Sequence, residues 1–540
     1  MFECRILKQL NYKKDGDHEM TSTTTEDTSV PEHNLLTSKD LFKSLDLDGD
    51  GTINKLDILN ALQDEGILQD DQRISHTIQK LSLLSNSDAI DLKAFHDIIS
   101  KNLTLIERSL KGDLVIPDFM TFSEIITDIY EKVRPNKSGA VADYIPQLAR
   151  VNPEYYSIAI CTVDGQRFKL GNHDIPYCVQ STCKPINYCM ALEENGESSV
   201  HNHIGREPSG RGFNELTLNN EGLPHNPMIN SGAIMSCSLI QRKLDVSERF
   251  DHVMGFWQAM SGGNNPGFNN AVYLSERQTA DRNYALGYFM REKGAFPEKT
   301  NLHEILEFYF QCCSIELTAA DHANVAATLA NGGICPITGD RVMSSETAKC
   351  CLSLMYSCGM YDFSGEFAFS VGLPAKSGVS GSLILVIPGV CGMTIWSPRL
   401  DQYGNSVRAV DISQQLVSRF NFHNYDCLIT DSNKHDPLLQ KNEEKLNGVM
   451  VANHAASLGD LNEIKNLDAK GIDLDMADYD GRTPLHVAAA EGHINIIDYF
   501  IKTNRNLSPR DRWGGTPLRD AKQNKYKNVV ELLQKHIRGK

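Results

Sequence analysis

The 540-residue sequence predicts a multidomain protein: a central domain mixing α and β structure, an all-helical domain before it and helical repeats after it. Three observations carry this. Two β-hairpin patterns, at residues 155–171 and 381–398, bracket a long stretch of helical periodicity. An aspartate-rich loop at residues 46–57 interrupts a helical region, and a Thr-Pro-Leu triplet recurs with Thr483 and Thr516 33 positions apart.

Composition sets the frame. A chain this long exceeds what one core usually supports, so several domains are expected. With 41% hydrophobic and 23% charged residues it reads as a water-soluble globular chain, and no apolar run approaches bilayer length, so membrane insertion is not expected. A net charge of −16 and the lack of any Lys/Arg stripe argue against nucleic-acid binding. The 14 cysteines show no CxxC zinc spacing, and no secretory signal opens the chain; buried, reduced thiols are the expectation.

Residues 1–35 are polar, Thr-rich and acidic, and are expected to be disordered. Residues 36–114 form the first helical domain. In "DLDGDGTINKLD", Asp46, Asp48 and Asp50 occupy positions 1, 3 and 5 of an EF-hand loop, with Gly51 at the turn and Ile53 at the apolar position 8. Position 12 is Asp57, shorter than the glutamate that reaches calcium with both oxygens, so a weak Ca2+ or Mg2+ site formed by these four aspartates is expected. "LLSNSDAIDLKAFHDII" keeps Ile90 without the acidic spacing and reads as a degenerate second hand.

The central domain spans 115–425. "YYSIAICTVDGQRFKLG" places an Asp-Gly turn between two apolar runs, "GSLILVIPGVCGMTIWSP" turns at Pro388-Gly389, and "AVDISQQLVSRFNFH" closes the region as a helix. Residues 426–447, with "TDSNKHDPLLQKNEEK", read as a linker. Residues 448–540 carry "GRTPLHVAAAEGH" and "GGTPLRDAKQNKY" at the ankyrin period, with "MVANHAASLGD" one period earlier, giving two to three repeats.

Chemistry enters at "VQSTCKPINY", residues 179–188. Ser181 and Lys184 stand about one helical turn apart, and Pro185 places them in the first turn of a helix. There the positive helix end would lower the lysine pKa, letting it take the serine proton. A second element, Lys376-Ser377-Gly378, precedes the far hairpin, where a strand-edge N–H could join that of Ser181 in an oxyanion hole. A sheet built from both ends of the domain with helices between, plus these two elements in order, resembles the serine β-lactamase and penicillin-binding-protein fold class.

Longer blocks narrow the resemblance. "VADYIPQLA", "QSTCKP", "EPSGRGFN", "PHNPMINSGAI", "SERQTADRNYALGY", "FYFQCCSIE", "CGMYDFSGEFAF" and "GLPAKSGVSG" closely resemble the animal kidney/liver-type glutaminases, as does the order of helical domain, catalytic domain and ankyrin repeats. That resemblance implies hydrolysis of L-glutamine to L-glutamate and ammonia through an acyl-enzyme on Ser181, with Lys184 as general base and no catalytic cofactor. It assigns Tyr361 to proton relay toward the leaving ammonia and Tyr309 to orienting nucleophile or substrate. Backbone N–H groups of Ser181 and Val379 would hold the oxyanion, Glu276 the substrate ammonium, and Tyr144, Asn230, Asn283 and Tyr309 its carboxylate and backbone.

The resemblance also implies a homotetramer, inorganic phosphate as activator, protein partners for the ankyrin repeats and a mitochondrial location. "ELTLNNEGLPHNP" (215–227) lacks the apolar or aromatic residue the family shows near Thr217, which weakens the phosphate and filament expectations. "MFECRILKQLNYKK" followed by "DGDHEM" makes a poor presequence, so a cytosolic location is the alternative. A β-lactamase or peptidase would carry a secretion signal and a Ser-Asp-Asn element, and neither is found. An inert calcium-responsive scaffold would lack Ser181 or Lys184, and both are present.

Overall fold

The computed structural model of the chain describes residues 32–46, 48–210, 215–429, 434–439, 441–469 and 472–537. Of the segment expected to be disordered, residues 1–31 lie outside these, while its last four residues already belong to the helix Glu32–Leu45. The pair Leu35-Leu36 extends the helical spacing of Leu41 and Phe42, which explains the earlier start.

The first domain is helical around a core of Ile53, Ile58, Leu62, Phe95, Ile98 and Ile106. Ile53 and Ile90 exchange backbone hydrogen bonds of 3.0 and 2.8 Å, so the degenerate second segment pairs with the aspartate loop as the two loops of an EF-hand pair do. Asp57 also has a structural role. Its carboxylate accepts the Asn54 N–H at 2.7 Å while Asn54 accepts from the Leu56 and Asp57 N–H groups, a capping box on the helix Lys55–Asp64.

The central domain is built on an antiparallel five-stranded sheet ordered β2-β1-β8-β7-β6, with β1 Ser157–Thr162, β2 Arg167–Gly171, β6 Ala375–Ser377, β7 Ser382–Ile387 and β8 Cys391–Trp396. Both expected hairpins are present, and β1 pairs with β8 from Ser157↔Trp396 to Thr162↔Cys391, joining the two ends of the domain. The three inner strands are buried throughout, so each face needs a helical cover. The helices Phe119–Val133 and Val407–Arg419 cover one face, packing Phe122, Ile126, Ile412 and Leu416 on Ile158, Ile160, Leu385 and Ile395. On the other face the alanine-rich helix Ala319–Ala330 comes so close that a Cβ on Gly392 would lie 2.1 Å from the Ala327 nitrogen.

A smaller sheet, ordered β3-β5-β4 with β3 Tyr177–Cys178, β4 Gly267–Phe268 and β5 Ile315–Leu317, leads into the helical lobe. There the helix Cys183–Asn195 is buried along its whole first ten residues, the mark of a helix surrounded by others. Around it pack the helices Asn230–Leu239, Leu302–Cys313 and Ser345–Cys358.

The stretch 426–447 differs from a plain linker. A 3-10 turn occupies Asp426–Leu428, and a helix starts at Lys441 and runs to Leu458 as the first ankyrin helix; residues 430–433 and 440 lie outside the described residues. In the repeats, Thr483 and Thr516 stand at helix N-caps and Pro484 and Pro517 at the first helical position, where a missing N–H costs nothing. The recurring triplet is thus a helix-start signal.

The two N-terminal units are joined at the β1–β2 turn. Arg73 donates to the carbonyls of Asp164 (2.5 Å) and Gly165 (3.1 Å) while paired with Asp71 at 2.7 Å, and the Gln166 amide donates to the carbonyls of Glu65 and Ile116. Among the described residues no helix is long and apolar enough to cross a membrane, and the thirteen described cysteines are all free.

Candidate active site

Ser181 lies in a 3-10 turn, Gln180–Thr182, that runs directly into the helix Cys183–Asn195. The serine therefore precedes the α-helix by two residues, and Pro185 takes its third position. The turn is entered through Gln180 at φ 49°, a left-handed conformation uncommon for a side chain larger than glycine. It turns the serine inward: Ser181 is 9% exposed and Lys184 0%.

The Lys184 ammonium donates to Ser181 Oγ at 2.9 Å and to Asn230 Oδ1 at 2.7 Å. Burial pulls its pKa from 10.5 down to about 8, against the opposing pull of Cys313, Cys183 and Glu276. Lys184 sits inside the lobe, where losing water penalises the charged form, a cause the helix-end expectation did not include. Cys183 and Cys313 approach to 3.9 Å between sulfurs within this packing.

Asn230, first residue of its helix, links several groups. Besides Lys184 it accepts a long hydrogen bond from the Tyr309 hydroxyl at 3.4 Å and donates to Asn283 Oδ1 at 3.1 Å. Glu276, on the helix Asn270–Gln278, accepts from the Tyr144 hydroxyl at 2.6 Å and from the Gln180 amide at 3.0 Å through the same oxygen. Burial raises its carboxyl pKa, with Tyr144, Gln180 and Lys184 opposing. Among the described residues no lysine or arginine pairs with it at salt-bridge distance. A carboxylate 9% exposed, held by two neutral donors, offers its remaining oxygen to a cation. Tyr144 exposes 46% of its residue surface, yet its hydroxyl end is buried against Glu276.

Tyr361 opens a 3-10 turn at φ 54°, and burial pushes its phenol well above the usual range while a hydrogen bond with Ser181 draws it back. Lys376, fully buried on β6, stands 4.5 Å from the Tyr361 ring centroid and donates to the carbonyls of Gly359 and Ser377 at 3.0 and 2.7 Å. Desolvation, then repulsion from Lys184, holds its pKa well below the ordinary lysine value. Next comes Gly378, where a Cβ would meet Ser382 Oγ at 2.9 Å and the Val179 carbonyl at 3.0 Å. That close approach presses the turn bearing Val379 against the segment that carries Ser181.

All the residues expected around the substrate therefore fall in one region. Two were given no side-chain role by sequence reasoning. Gln180 clamps Glu276, and its only advance signal was its place beside the serine. Lys376 was legible as part of a triplet, but its position over Tyr361 depends on packing distant in sequence. The acidic loop stands apart: Asp46, Asp48 and Asp50 bring carboxylate oxygens within 4.8 Å of one another, and Asp57 is absent from that group. Asp46 accepts the N–H groups of Gly49 and Gly51, which folds the loop around the shared centre. Three convergent carboxylates suit a hard divalent cation, though they supply fewer protein ligands than a full EF-hand.

Comparison with known proteins places these observations. Residues 139–425 match the Glutaminase family, residues 452–539 match ankyrin repeats in three copies, and residues 37–117 match an EF-hand domain. The mitochondrial liver isoform of glutaminase from Rattus norvegicus is 45% identical over 479 residues, covering 88% of this chain and 80% of its own length. A glutaminase from Trichormus variabilis is 39% identical over 329 residues, 61% of this chain and 97% of its own. Among solved structures, Mglu in its native form superposes with a TM-score of 0.53 at 35% identity, covering 56% of this chain and 72% of that one.

Proposed function

The chain belongs to the glutaminase family, and from that premise we propose that it hydrolyses L-glutamine to L-glutamate and ammonia through an acyl-enzyme on Ser181, with Lys184 as general base. The observation that carries the reading is the 2.9 Å contact between a buried serine and a buried lysine whose pKa is drawn to about 8. At neutral pH a usable minority of such a lysine is unprotonated, whereas an ordinary one almost never is.

In this reading neutral Lys184 takes the Ser181 proton as Oγ attacks the side-chain amide carbon, and the carbonyl oxygen becomes an oxyanion facing the N–H groups of Ser181 and Val379. Tyr361, next to Ser181, passes a proton to the departing nitrogen and is reprotonated by Lys184, the C–N bond breaks, ammonia leaves, and Lys184 is neutral again. Water then adds to the ester, Lys184 takes its proton and returns it to Ser181 Oγ as that oxygen leaves and glutamate forms. Glu276 receives the substrate ammonium, with Tyr144 and Gln180 fixing its carboxylate. Asn230, Asn283 and Tyr309 face the substrate carboxylate and backbone. Lys376 holds Tyr361 from behind.

The test is direct. Purified protein incubated with L-glutamine should release ammonia and glutamate in equal amounts, and hydroxylamine should intercept a glutamyl ester in competition with water. Ammonia release without any trappable ester would contradict the covalent route. Homotetramer formation, activation by inorganic phosphate and a mitochondrial location follow the same family reading; mass photometry, a phosphate titration and cell imaging check them in turn. The aspartate loop would hold Ca2+ weakly through Asp46, Asp48 and Asp50, and the ankyrin repeats would serve protein partners.

A further inference from the structure

Among the described residues, one buried charged side chain outside the reaction centre lacks a partner of opposite sign. Asp71 pairs with Arg73, Arg408 with Glu154 and Asp426 with Lys434. Arg249, on the helix Val246–Met260 and 5% exposed, has no carboxylate at salt-bridge distance. Its guanidinium lies 4.4 Å from the Phe308 ring centroid, while Nε donates to the Ile240 carbonyl at 3.0 Å and Nη2 to the Cys237 carbonyl at 2.6 Å. Nη1 makes no hydrogen bond among the described residues and is not sealed from solvent, so one edge of the guanidinium stays open. Burial draws its pKa down, and Cys237, Cys312, Glu304 and Glu194 oppose this. A buried cation held only by carbonyls and a ring calls for an anion.

Arg249 lines a cavity of about 990 Å³, in the roughly 300–1,000 Å³ range of small-molecule sites. Two loops contribute to its walls, and the Arg242 guanidinium joins them by donating to the Glu298 carbonyl at 2.9 Å. The exposed Lys243 and Lys299, one from each loop, form no ion pair among the described residues and add positive charge. Of the wall carboxylates, Glu194 accepts the Gln241 N–H at 2.6 Å and pairs with His252 at 3.0 Å, and Glu304 accepts from the Asn301 amide at 2.5 Å, which leaves Glu298. Leu244, 38% exposed, supplies an apolar wall. We propose that Arg249 anchors a second ligand site, for a short-chain monocarboxylate whose carboxylate takes the open guanidinium edge and whose aliphatic chain lies along Leu244. The planar guanidinium fork matches a carboxylate. A second negative charge on the ligand would meet Glu194, Glu298 and Glu304, which favours a monoanion over phosphate.

The probes are butyrate and butyramide, its uncharged isostere, titrated against the full-length protein by saturation-transfer NMR at constant ionic strength. Butyrate should bind at least about tenfold more tightly, the worth of a hydrogen bond to a charged group. In Arg249→Gln that difference should vanish. Because Arg249 also holds two carbonyls, a second variant spares it. Lys243→Glu combined with Lys299→Glu, both at exposed positions, should weaken butyrate at least about threefold and leave glutamine turnover unchanged, which reports an intact fold. The cavity shares no lining residue with the reaction centre, so saturating glutamine should leave butyrate bound, and the binding results stand whatever the reaction proves to be. Equal binding of butyrate and butyramide, a folded Arg249→Gln that keeps the preference, butyrate binding undiminished in the double variant, its displacement by glutamine or by inorganic phosphate at equal concentration, or no butyrate binding would each overturn the proposal.

Discussion

Two groups of charged side chains in this chain lead opposite lives. At residues 46–50 three carboxylates gather on the surface, Asp48 and Asp50 exposed and Asp46 half-buried, each bathed by water. At residues 181–184 a serine and a lysine of equal ordinariness are sealed inside a helical lobe, with a glutamate and a second lysine nearby. Water makes the difference. It solvates the aspartates and leaves them weak competitors for a cation, whereas its exclusion pulls Lys184 to about 8, raises Glu276 and depresses Lys376. In the proposed reaction, reactivity comes from burial of common residues.

The largest effect expected from that contrast is at the dyad. Ser181→Ala and Lys184→Ala should each lower kcat by about 1,000-fold or more with the fold intact, since the covalent route loses its nucleophile or the base bonded to it. Steady-state ammonia release with circular dichroism checks this, and substantial turnover in either variant would mean that burial has not made this pair the machinery.

Next comes the buried anion. Glu276→Gln keeps the shape and the contacts with Tyr144 and Gln180 but removes the charge, a loss of about 2–5 kcal/mol toward a desolvated cation. Catalytic efficiency should fall at least tenfold for glutamine, and far less for an analogue without the α-amino group. Equal proportional losses for both substrates would assign Glu276 to the fold instead.

A smaller effect is expected where charge is buried for docking alone. Arg73→Ala removes two carbonyl contacts and the Asp71 pair at the β1–β2 turn, which should cost about 1–3 kcal/mol of stability. Chemical denaturation followed by proteolysis of the N-terminal domain measures it, and turnover by the folded fraction should hardly change.

The smallest effect belongs to the surface loop. Calorimetry should find Ca2+ binding weaker than about 10⁻⁶ M, because Asp57 caps its helix and only three carboxylates converge. Binding at nanomolar calcium would show that exposure did not weaken this site. Asp46→Asn should weaken binding and leave basal glutamine turnover unchanged.

What could be read from the sequence follows the range of the interactions. The hairpins, the aspartate loop and the ankyrin triplets were legible because each is decided within about a dozen residues. Ser181 and Lys184 were legible as a spacing, but the reason for the lysine's lowered pKa was not: it lies in burial by helices that begin as far away as Asn230, Leu302 and Ser345. The capping role of Asp57 was not legible as such, because position 12 of the loop is also the third residue of a helix, where its carboxylate accepts the Asn54 N–H. Gln180 went unnoticed because its role depends on a left-handed backbone and on Glu276, 96 residues away. The Arg73 clamp joins groups more than 90 residues apart, with no local pattern to announce it.

Whether buried Lys184 is the base is read from the pH dependence of kcat/KM, which reports the free enzyme. The sign is fixed: the base works unprotonated, so activity must be low where Lys184 is charged and rise as pH passes its pKa. A rising limb with its midpoint near 8 is expected, flattening above, with loss at low pH as Glu276 gains a proton. A profile that is flat through this region, or one that climbs only near the ordinary lysine value of 10.5, would contradict it.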